Sequence, residues 1–162
     1  MADDPVNKTA ALVVGLGNRL LSDDSAGPLV VDRLGAQADG RGPAEFVDGG
    51  TIGLALLPLI ESAASLIAVD AARFGAAPGC VRVFEGEDMD RQLASRGGSA
   101  HELALTDLMA AAALSGTLPQ RRALVAVQPA TTGVGPGPSA PVDAAIPVMC
   151  EEVGRLLARW LP

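Results

Sequence analysis

Hydrophobic and polar residues along this chain alternate between short apolar runs and longer segments with helical spacing. Short apolar runs bounded by Gly or polar residues are typical of buried strands. They predict strands at residues 11–15, 44–50, 65–70, 80–86 and 123–129. Helical spacing predicts helices at 26–34, 51–62, 101–116 and 141–161. Strands that alternate with helices through short joints predict an α/β fold, a three-layer α/β/α sandwich around a mixed, mostly parallel five-stranded sheet.

The fourth predicted strand differs from the others in direction. Residues 80–86 follow the strand at 65–70 after only a short loop. A parallel connection requires a crossover of about a dozen residues or more, so we expect the fourth strand to be antiparallel. Val81 and Val83 alternate with Arg82, as is typical of a half-exposed edge strand.

Local residue choices predict helix ends and one long connection. Ser22 or Asp23 is suited to cap the N-terminus of the first helix. Pro58 is expected to kink the buried helix predicted over 51–62. Residues 86–100 are polar and rich in Gly and Ser, which favours a mobile connection with room for one helical turn.

Composition favours one domain over residues 1–162 with an aliphatic core. The chain has 162 residues, of which 49% are hydrophobic and only 2% aromatic. This length is enough to bury a sizeable core within a single domain. The net charge is −7, and the one basic pair is Arg121 with Arg122. This charge argues against nucleic acid and against an anionic membrane surface as partners.

The cysteines and the N-terminus predict a cytoplasmic protein. Cys80 and Cys150 lack C-x-x-C spacing, which favours two buried free thiols in a reducing compartment. The first residues, M-A-D-D-P, lack the charged and apolar regions of a signal peptide. No apolar run approaches the roughly 20 residues that span a bilayer.

Three polar residues follow or precede predicted elements where a core does not require them. Asp24 follows the first strand, Asp70 ends the third strand, and His101, the sole histidine, begins a helix. The carboxyl ends of parallel strands lie at one edge of a sheet, so the two carboxylates are expected to converge there. A helix packed over that edge would bring the imidazole to them. Two carboxylates and one imidazole suit a borderline divalent metal in an open site.

Each of these residues also has a purely structural alternative. Asp24 suits the first turn of a helix, Asp70 suits a turn that it hydrogen-bonds itself, and a lone histidine is commonly structural. Only their joint placement favours a metal site. Other chemistries find less support: Gly15 and Gly17 lack the third glycine of a dinucleotide-binding loop, and neither a G-x-S-x-G motif nor a Walker motif is present.

Five blocks in order resemble the hydrogenase maturation proteases, the endopeptidases that process the large subunit of nickel–iron hydrogenases. The first block, V-G-L-G-N-R-L-L-S-D-D-S-A-G, is similar to the opening G-x-G-N-x-L-x-x-D-[DE]-x-x-G of that family. The full set comprises residues 14–27, 48–60, 67–79, 100–109 and 127–129. The blocks are distributed along most of the chain, and their order and spacing make the resemblance specific.

The resemblance implies a role for each of the three residues. Asp24, Asp70 and His101 correspond to the nickel-sensing site of that family, with Asp24 and Asp70 as candidate catalytic residues. The nickel belongs to the precursor of the large subunit and is bound only weakly by the protease alone. The metal either activates a water molecule as a Lewis acid, or only docks the substrate while one of the two carboxylates acts as general base.

The function expected from the resemblance is removal of a C-terminal extension from a nickel-loaded precursor by a monomeric, cytoplasmic endopeptidase. Two alternatives stay open at this point. One is a metal-independent acid endopeptidase that uses the carboxylates alone. The other is a non-catalytic maturation chaperone that binds nickel or the precursor without turnover.

Overall fold

The middle layer of the fold is a five-stranded sheet. The computed structural model describes residues 9–40, 42–50, 53–95 and 99–162. The strands are β1 (Ala11–Gly15), β2 (Ala44–Asp48), β3 (Ser65–Ala71), β4 (Val81–Glu85) and β5 (Arg121–Val127). Their order in the sheet is β2-β1-β3-β5-β4. β4 is antiparallel to β5 and the other pairs are parallel, which confirms the predicted mixed sheet and the antiparallel edge strand.

Helices cover both faces of this sheet, as predicted. The helices are α1 (Ala26–Ala38), α2 (Leu57–Ser62), α3 (Glu87–Leu93), α4 (Ala100–Leu114) and α5 (Ala140–Trp160). Short 3-10 helices precede α1 at Ser22–Ser25 and α2 at Gly53–Leu56. Buried residues of α1 and α5 pack on one face, and those of α2, α3 and α4 pack on the other.

The central strand β3 decides where its final acid points. Leu66 and Ala68 pack toward the α4 face, whereas Ile67 and Val69 pack toward the α1 face. Side chains alternate between faces along a strand, so Asp70 lies on the α4 face. The last polar residue of the strand therefore points toward the helix that carries His101.

The connection predicted at 86–100 contains a regular helix. α3 has seven residues and buries Met89 and Leu93 completely or almost completely. The prediction of a mobile connection is therefore wrong for its first half. The pattern was missed because α3 has a polar exposed surface and only two apolar residues, placed four positions apart so that they share one face.

Two other local predictions are corrected. Neither Ser22 nor Asp23 caps α1, whose N-terminus has no side-chain cap. Pro58 lies at the start of α2, where a missing N–H is not needed, so it introduces no kink. The buried helix predicted over 51–62 is only partly buried, because Leu54 is exposed. Residues 51–52 of that prediction lie outside the described residues.

Neither cysteine forms a disulfide, and both are half-buried rather than buried. Within the described ranges, no helix is both long enough and apolar enough to cross a membrane.

Gly27 allows α1 to approach the sheet closely. A Cβ atom there would lie 2.3 Å from the backbone oxygens of Leu16 and Val69, well inside contact distance. The glycine therefore determines how near the N-terminus of α1 lies to the ends of β1 and β3. Gly154 in α5 provides a contrast, because a Cβ there would meet nothing within 4 Å.

We expect Gly27→Ala to lower the free energy of unfolding by roughly 2–4 kcal/mol, because the new methyl group forces α1 away from the strands. The matched variant Gly154→Ala should raise the free energy of unfolding by about 0.5–1 kcal/mol, because alanine favours a helix. Urea denaturation of the two variants and the wild type measures both effects. Equal stability of the two variants would contradict the close packing of α1.

Candidate active site

The loop after β1 holds Asp24 in place through backbone contacts. The N–H of Leu16 donates to the carbonyl oxygen of Val69 at 2.8 Å, which ties the loop to β3. Gly17 has a φ of 131°, and a Cβ there would lie 1.8 Å from the carbonyl oxygen of Asp24. The N–H of Asn18 donates to Oδ2 of Asp24 at 2.7 Å. The tight turn thus orients the Asp24 carboxylate, which is 5% exposed.

Asp70 is buried without a hydrogen-bond partner. Its side chain is 0% exposed, and neither carboxylate oxygen has a partner among the described residues. Burial raises the pKa of Asp70 well above its ordinary value, and the charges of Glu102 and Asp24 raise it further. An unpartnered buried carboxyl group is costly for stability, which is typical of a functional site.

The first turn of α4 contributes His101 and a second acid. Nε2 of His101 lies 3.5 Å from Oδ2 of Asp24. This contact raises the pKa of His101, while partial burial opposes the rise. The helix begins with a capping box in which Ser99 and Glu102 each accept the other's backbone N–H, so the position of His101 is well defined.

Glu102 is a site residue that the sequence analysis missed. It is 3% exposed, and its Oε1 has no hydrogen-bond partner in the described part of the chain. Burial raises its pKa, and the charge of Asp24 adds to the rise, while the Ser99 N–H lowers it. The spacing S-x-x-E at residues 99–102 was the available signal, because it marks a helix start and places a glutamate beside the histidine.

These residues border a cleft of about 280 Å³ at the carboxyl edge of the sheet. Asp24, His101 and Glu102 line the cleft, but the fully buried Asp70 does not. The remaining lining comes from the segment after β1, the end of β3 and the loop that follows it, the start of α4 and the loop after β5: Leu21, Ala71, Ala72, Arg73, Ser99, Ala100, Pro129 and Thr132. The structure therefore places the three predicted residues in one region, with Asp70 behind the cleft surface.

Asp23 has a different role from its neighbour. It is 0% exposed and accepts hydrogen bonds from the loop between β5 and α5. Oδ2 accepts from the N–H groups of Ala130 at 2.7 Å and Thr131 at 3.0 Å, and from the hydroxyl of Ser139 at 3.0 Å. Oδ1 accepts from the N–H of Ser139 at 2.6 Å. These bonds lower the pKa of Asp23 although burial opposes them.

Three further hydrogen bonds join the same loop to the Asp23 segment, and one of them runs from the N–H of Asp23 to the carbonyl oxygen of Thr131 at 3.2 Å. The hydroxyl of Ser22 donates to the carbonyl oxygen of Gly133 at 2.8 Å, and the N–H of Gly135 donates to that of Leu20 at 3.1 Å. Ser22 has a φ of 47°, which is unfavourable for a residue other than glycine. The contacts to the loop stabilise this strained backbone, directly before the two acids.

The acid at the end of β2 is not part of this cluster. Oδ2 of Asp48 accepts from two nitrogens of Arg19 at 2.7 and 3.0 Å, and Oδ1 accepts from the N–H of Gly50 at 3.0 Å. Arg19 also pairs with Asp32. Asp48 therefore stabilises the neighbouring loop, and its carboxylate is fully used there.

The donor atoms suit a divalent metal but do not form a complete coordination sphere. Two carboxylates and an imidazole are ligands that borderline divalent metals accept. In the ranges that the structure describes, no group of three or more His, Cys, Asp or Glu side chains is gathered closely enough to hold an ion by itself. Both oxygens of Asp70 lack partners among the described residues, and Asp24 and His101 contact each other at the cleft surface.

Comparison with known proteins identifies the family. The model of the hydrogenase maturation protease family matches residues 28–155, which include Asp70 and His101. This chain belongs to the hydrogenase maturation protease family. The matched range begins shortly after Asp24. It includes β2 to β5 and all of α2, α3 and α4, and it leaves out only the start of α1 and the end of α5 among the helices.

Individual hydrogenase maturation proteins support this membership. The chain is 36% identical over 118 residues to the hydrogenase expression/formation protein HupD of Rhodobacter capsulatus, covering 73% of this chain and 56% of that protein. It is 31% identical over 150 residues to HupD of Rhizobium leguminosarum bv. viciae, covering 92% and 74%. The chain thus spans little more than half the length of the first relative.

A solved structure confirms the fold. The hydrogenase maturating endopeptidase HybD from E. coli superimposes with a TM-score of 0.84 at 30% identity, and the match covers 93% of each chain. The predicted α/β architecture is therefore the architecture of this maturation protease family.

Asp23→Asn is expected to lower the free energy of unfolding at pH 7 by about 2–4 kcal/mol, because an amide cannot accept from all of the donors that surround it. The pKa of Asp23 is lower in the folded protein than in the unfolded chain, where it is near 4. The stabilisation by this carboxylate is therefore fully present above about pH 4 and is lost as the pH falls through the pKa of Asp23 in the folded protein. The stability gap between variant and wild type should therefore shrink in acid.

Urea denaturation at pH 7 and at pH 3 measures this gap, and amide hydrogen exchange at Ala130, Thr131 and Ser139 reports release of the loop. Asp107→Asn, an exposed change on α4, serves as the control and should leave both measurements unchanged. Protection of the loop amides equal to the wild type in Asp23→Asn would refute the role of Asp23.

Asp70→Asn is expected to stabilise the protein increasingly as the pH rises. The pKa of Asp70 is higher in the folded protein than in the unfolded chain, so the unfolded chain releases the carboxyl proton at a lower pH. The wild type therefore loses stability as the pH rises from about 4 toward the pKa of Asp70 in the folded protein. Glu102 and Asp24, which face Asp70, remain in the variant. At pH 8 we expect a gain of about 1–3 kcal/mol, and a smaller one at pH 5. A difference independent of pH in urea denaturation would contradict a buried, unpartnered carboxyl group.

Proposed function

We propose that this protein is an endopeptidase that removes a C-terminal extension from the nickel-loaded large-subunit precursor of a nickel–iron hydrogenase. The observation that carries the proposal is the meeting of Asp24, Asp70 and His101, from three distant parts of the chain, beside one cleft. Membership of the hydrogenase maturation protease family supports the reaction class and the precursor as the partner. The protein acts as a monomer in the cytoplasm.

In this proposal nickel is part of the substrate. The donor set of two carboxylates and one imidazole lacks a thiolate and is incomplete by itself, which supports weak binding by the protease alone. A metal that arrives with ligands from the precursor would complete its coordination with these side chains. Held there by Asp24, Asp70 and His101 together with the precursor, the ion would supply Lewis-acid chemistry to a nearby carbonyl oxygen or water molecule.

Asp24 is the better placed of the two candidate bases. It lines the cleft, whereas Asp70 lies behind the surface with no exposed atom. In peptide hydrolysis a water oxygen bonds to the carbonyl carbon while a base takes the water proton. The protonated base then gives this proton to the leaving nitrogen as the C–N bond breaks. We assign the first proton transfer to Asp24, with its carboxylate oriented by the N–H of Asn18 and by His101.

His101→Ala and Asp24→Asn are each expected to fold and to lower the rate of precursor processing at least 100-fold, because each removes a metal contact or the base. The measurement is the mass loss of purified nickel-loaded precursor on mixing with the protease. Asp107→Asn is the matched control on the same helix as His101 and should process at the wild-type rate.

Two outcomes would replace the proposal with an alternative. Equal processing of nickel-free and nickel-loaded precursor would identify a metal-independent acid endopeptidase. A stable complex with the nickel-loaded precursor and no released peptide would identify a binding chaperone.

A further inference from the structure

The cleft contains one cationic side chain among its acids. Arg73 lines the same cleft as Asp24, Glu102 and His101, and it is the single Lys or Arg among the described lining residues. Its side chain is exposed to solvent. The cleft therefore has an acidic floor and a basic residue at its rim.

The guanidinium group of Arg73 has no hydrogen-bond, ion-pair or aromatic partner in the part of the chain that the structure describes, which sets it apart from the other described arginines. Five of those pair with carboxylates: Arg19, Arg91, Arg122, Arg155 and Arg159. The other three have neutral partners, with Arg121 donating to the carbonyl oxygen of Trp160, Arg82 lying over the ring of Phe74, and Arg33 beside the thiol of Cys150. Of the two acids that line the cleft, Asp24 contacts Asn18 and His101, and Glu102 accepts from the N–H of Ser99 through one oxygen. Neither acid pairs with Arg73. The guanidinium group is thus available to another molecule.

The backbone around Arg73 is firmly held even though its side chain is exposed. The N–H of Ala72 donates to the carbonyl oxygen of Val127 at 3.0 Å. Nε2 of Gln92 in α3 donates to the carbonyl oxygen of Arg73 at 3.1 Å. The N–H of Phe74 donates to Oε1 of the buried Gln128 at 2.9 Å. A charged side chain on a fixed backbone is suited to recognition, because only the side chain, and not the backbone, has to be ordered on binding.

We propose that Arg73 is a specificity-determining residue that binds a carboxylate of the precursor at the rim of the cleft. This inference rests on the proposed function. A guanidinium group pairs with a carboxylate through two parallel hydrogen bonds, which gives both affinity and orientation. The carboxylates of Asp24 and Glu102 disfavour a further carboxylate beside them, so the precursor is oriented with its metal toward Asp24 and His101 and its acidic group toward Arg73.

The test compares Arg73→Gln, Arg73→Glu and Arg73→Lys with the wild type, using purified nickel-loaded precursor. Arg73→Gln should raise the precursor concentration for half-maximal rate roughly 10-fold and leave the saturating rate within about two-fold, because a binding contact is lost and no chemical group is changed. Arg73→Glu should raise it further, and Arg73→Lys should restore part of the loss. Arg155→Gln, an exposed change on α5, is the matched control.

Variants of the precursor then identify the carboxylate. Acidic side chains of the extension are neutralised one at a time, and a separate sample carries an amidated C-terminus. The partner is the group whose removal abolishes the difference between wild type and Arg73→Gln, as in a double-mutant cycle. An unchanged half-maximal concentration in Arg73→Gln, or a change that couples to none of these carboxylates, overturns the inference. Failure of the wild type to process the precursor would instead refute the proposed function.

Discussion

The site depends on the hydrogen bonds that the buried carboxylate of Asp23 accepts from the loop between β5 and α5. That loop is rich in Gly and Pro and has few backbone bonds of its own, so its N–H groups need an acceptor. Asp23 supplies one from a position more than 100 residues away in the chain. Asp24 is the next residue, so the same contact places the candidate base beside Pro129 and Thr132 on the cleft wall.

The acids around the cleft divide into two classes by environment. Asp23 is fully hydrogen-bonded, which lowers its pKa and makes it a source of stability. Asp70 and Glu102 have buried oxygens without partners, and their pKa values are raised. Such groups lower stability, and proteins retain them where a ligand or substrate supplies the missing partner. The energetic cost is concentrated where the proposed metal-bearing substrate binds.

The charges of the cleft fit a substrate that carries both signs. Asp24 and Glu102 provide the acidic groups of the cleft, and Arg73 provides a positive charge at its rim. A precursor with a bound metal cation and a nearby carboxylate would satisfy both. Under the proposed function, the incomplete donor set and Arg73, which is unpaired among the described residues, form one binding surface for the precursor.

Much of the fold and three members of the candidate site could be predicted from local patterns. Buried parallel strands require near-continuous apolar runs, so β1, β3 and β5 were recognisable. The predicted ends of these three strands lie within two residues of the observed ends. The positions of Asp24, Asp70 and His101 next to strand or helix ends followed from the same patterns. Sheet topology then brings the carboxyl ends of parallel strands to one edge.

Tertiary structure decided what depends on contacts between distant segments. The sequence suggested that Asp23 caps its own helix, but the loop at 130–139 offers more donors, so the side chain turns to the loop instead. α3 is helical because Met89 and Leu93 are buried against α4 and the sheet, and no local pattern showed that surface. Glu102 became an acid with a raised pKa only through burial beside Asp24. Local sequence determines which backbone each segment forms, whereas the environment of each charge is set by residues that folding brings from elsewhere.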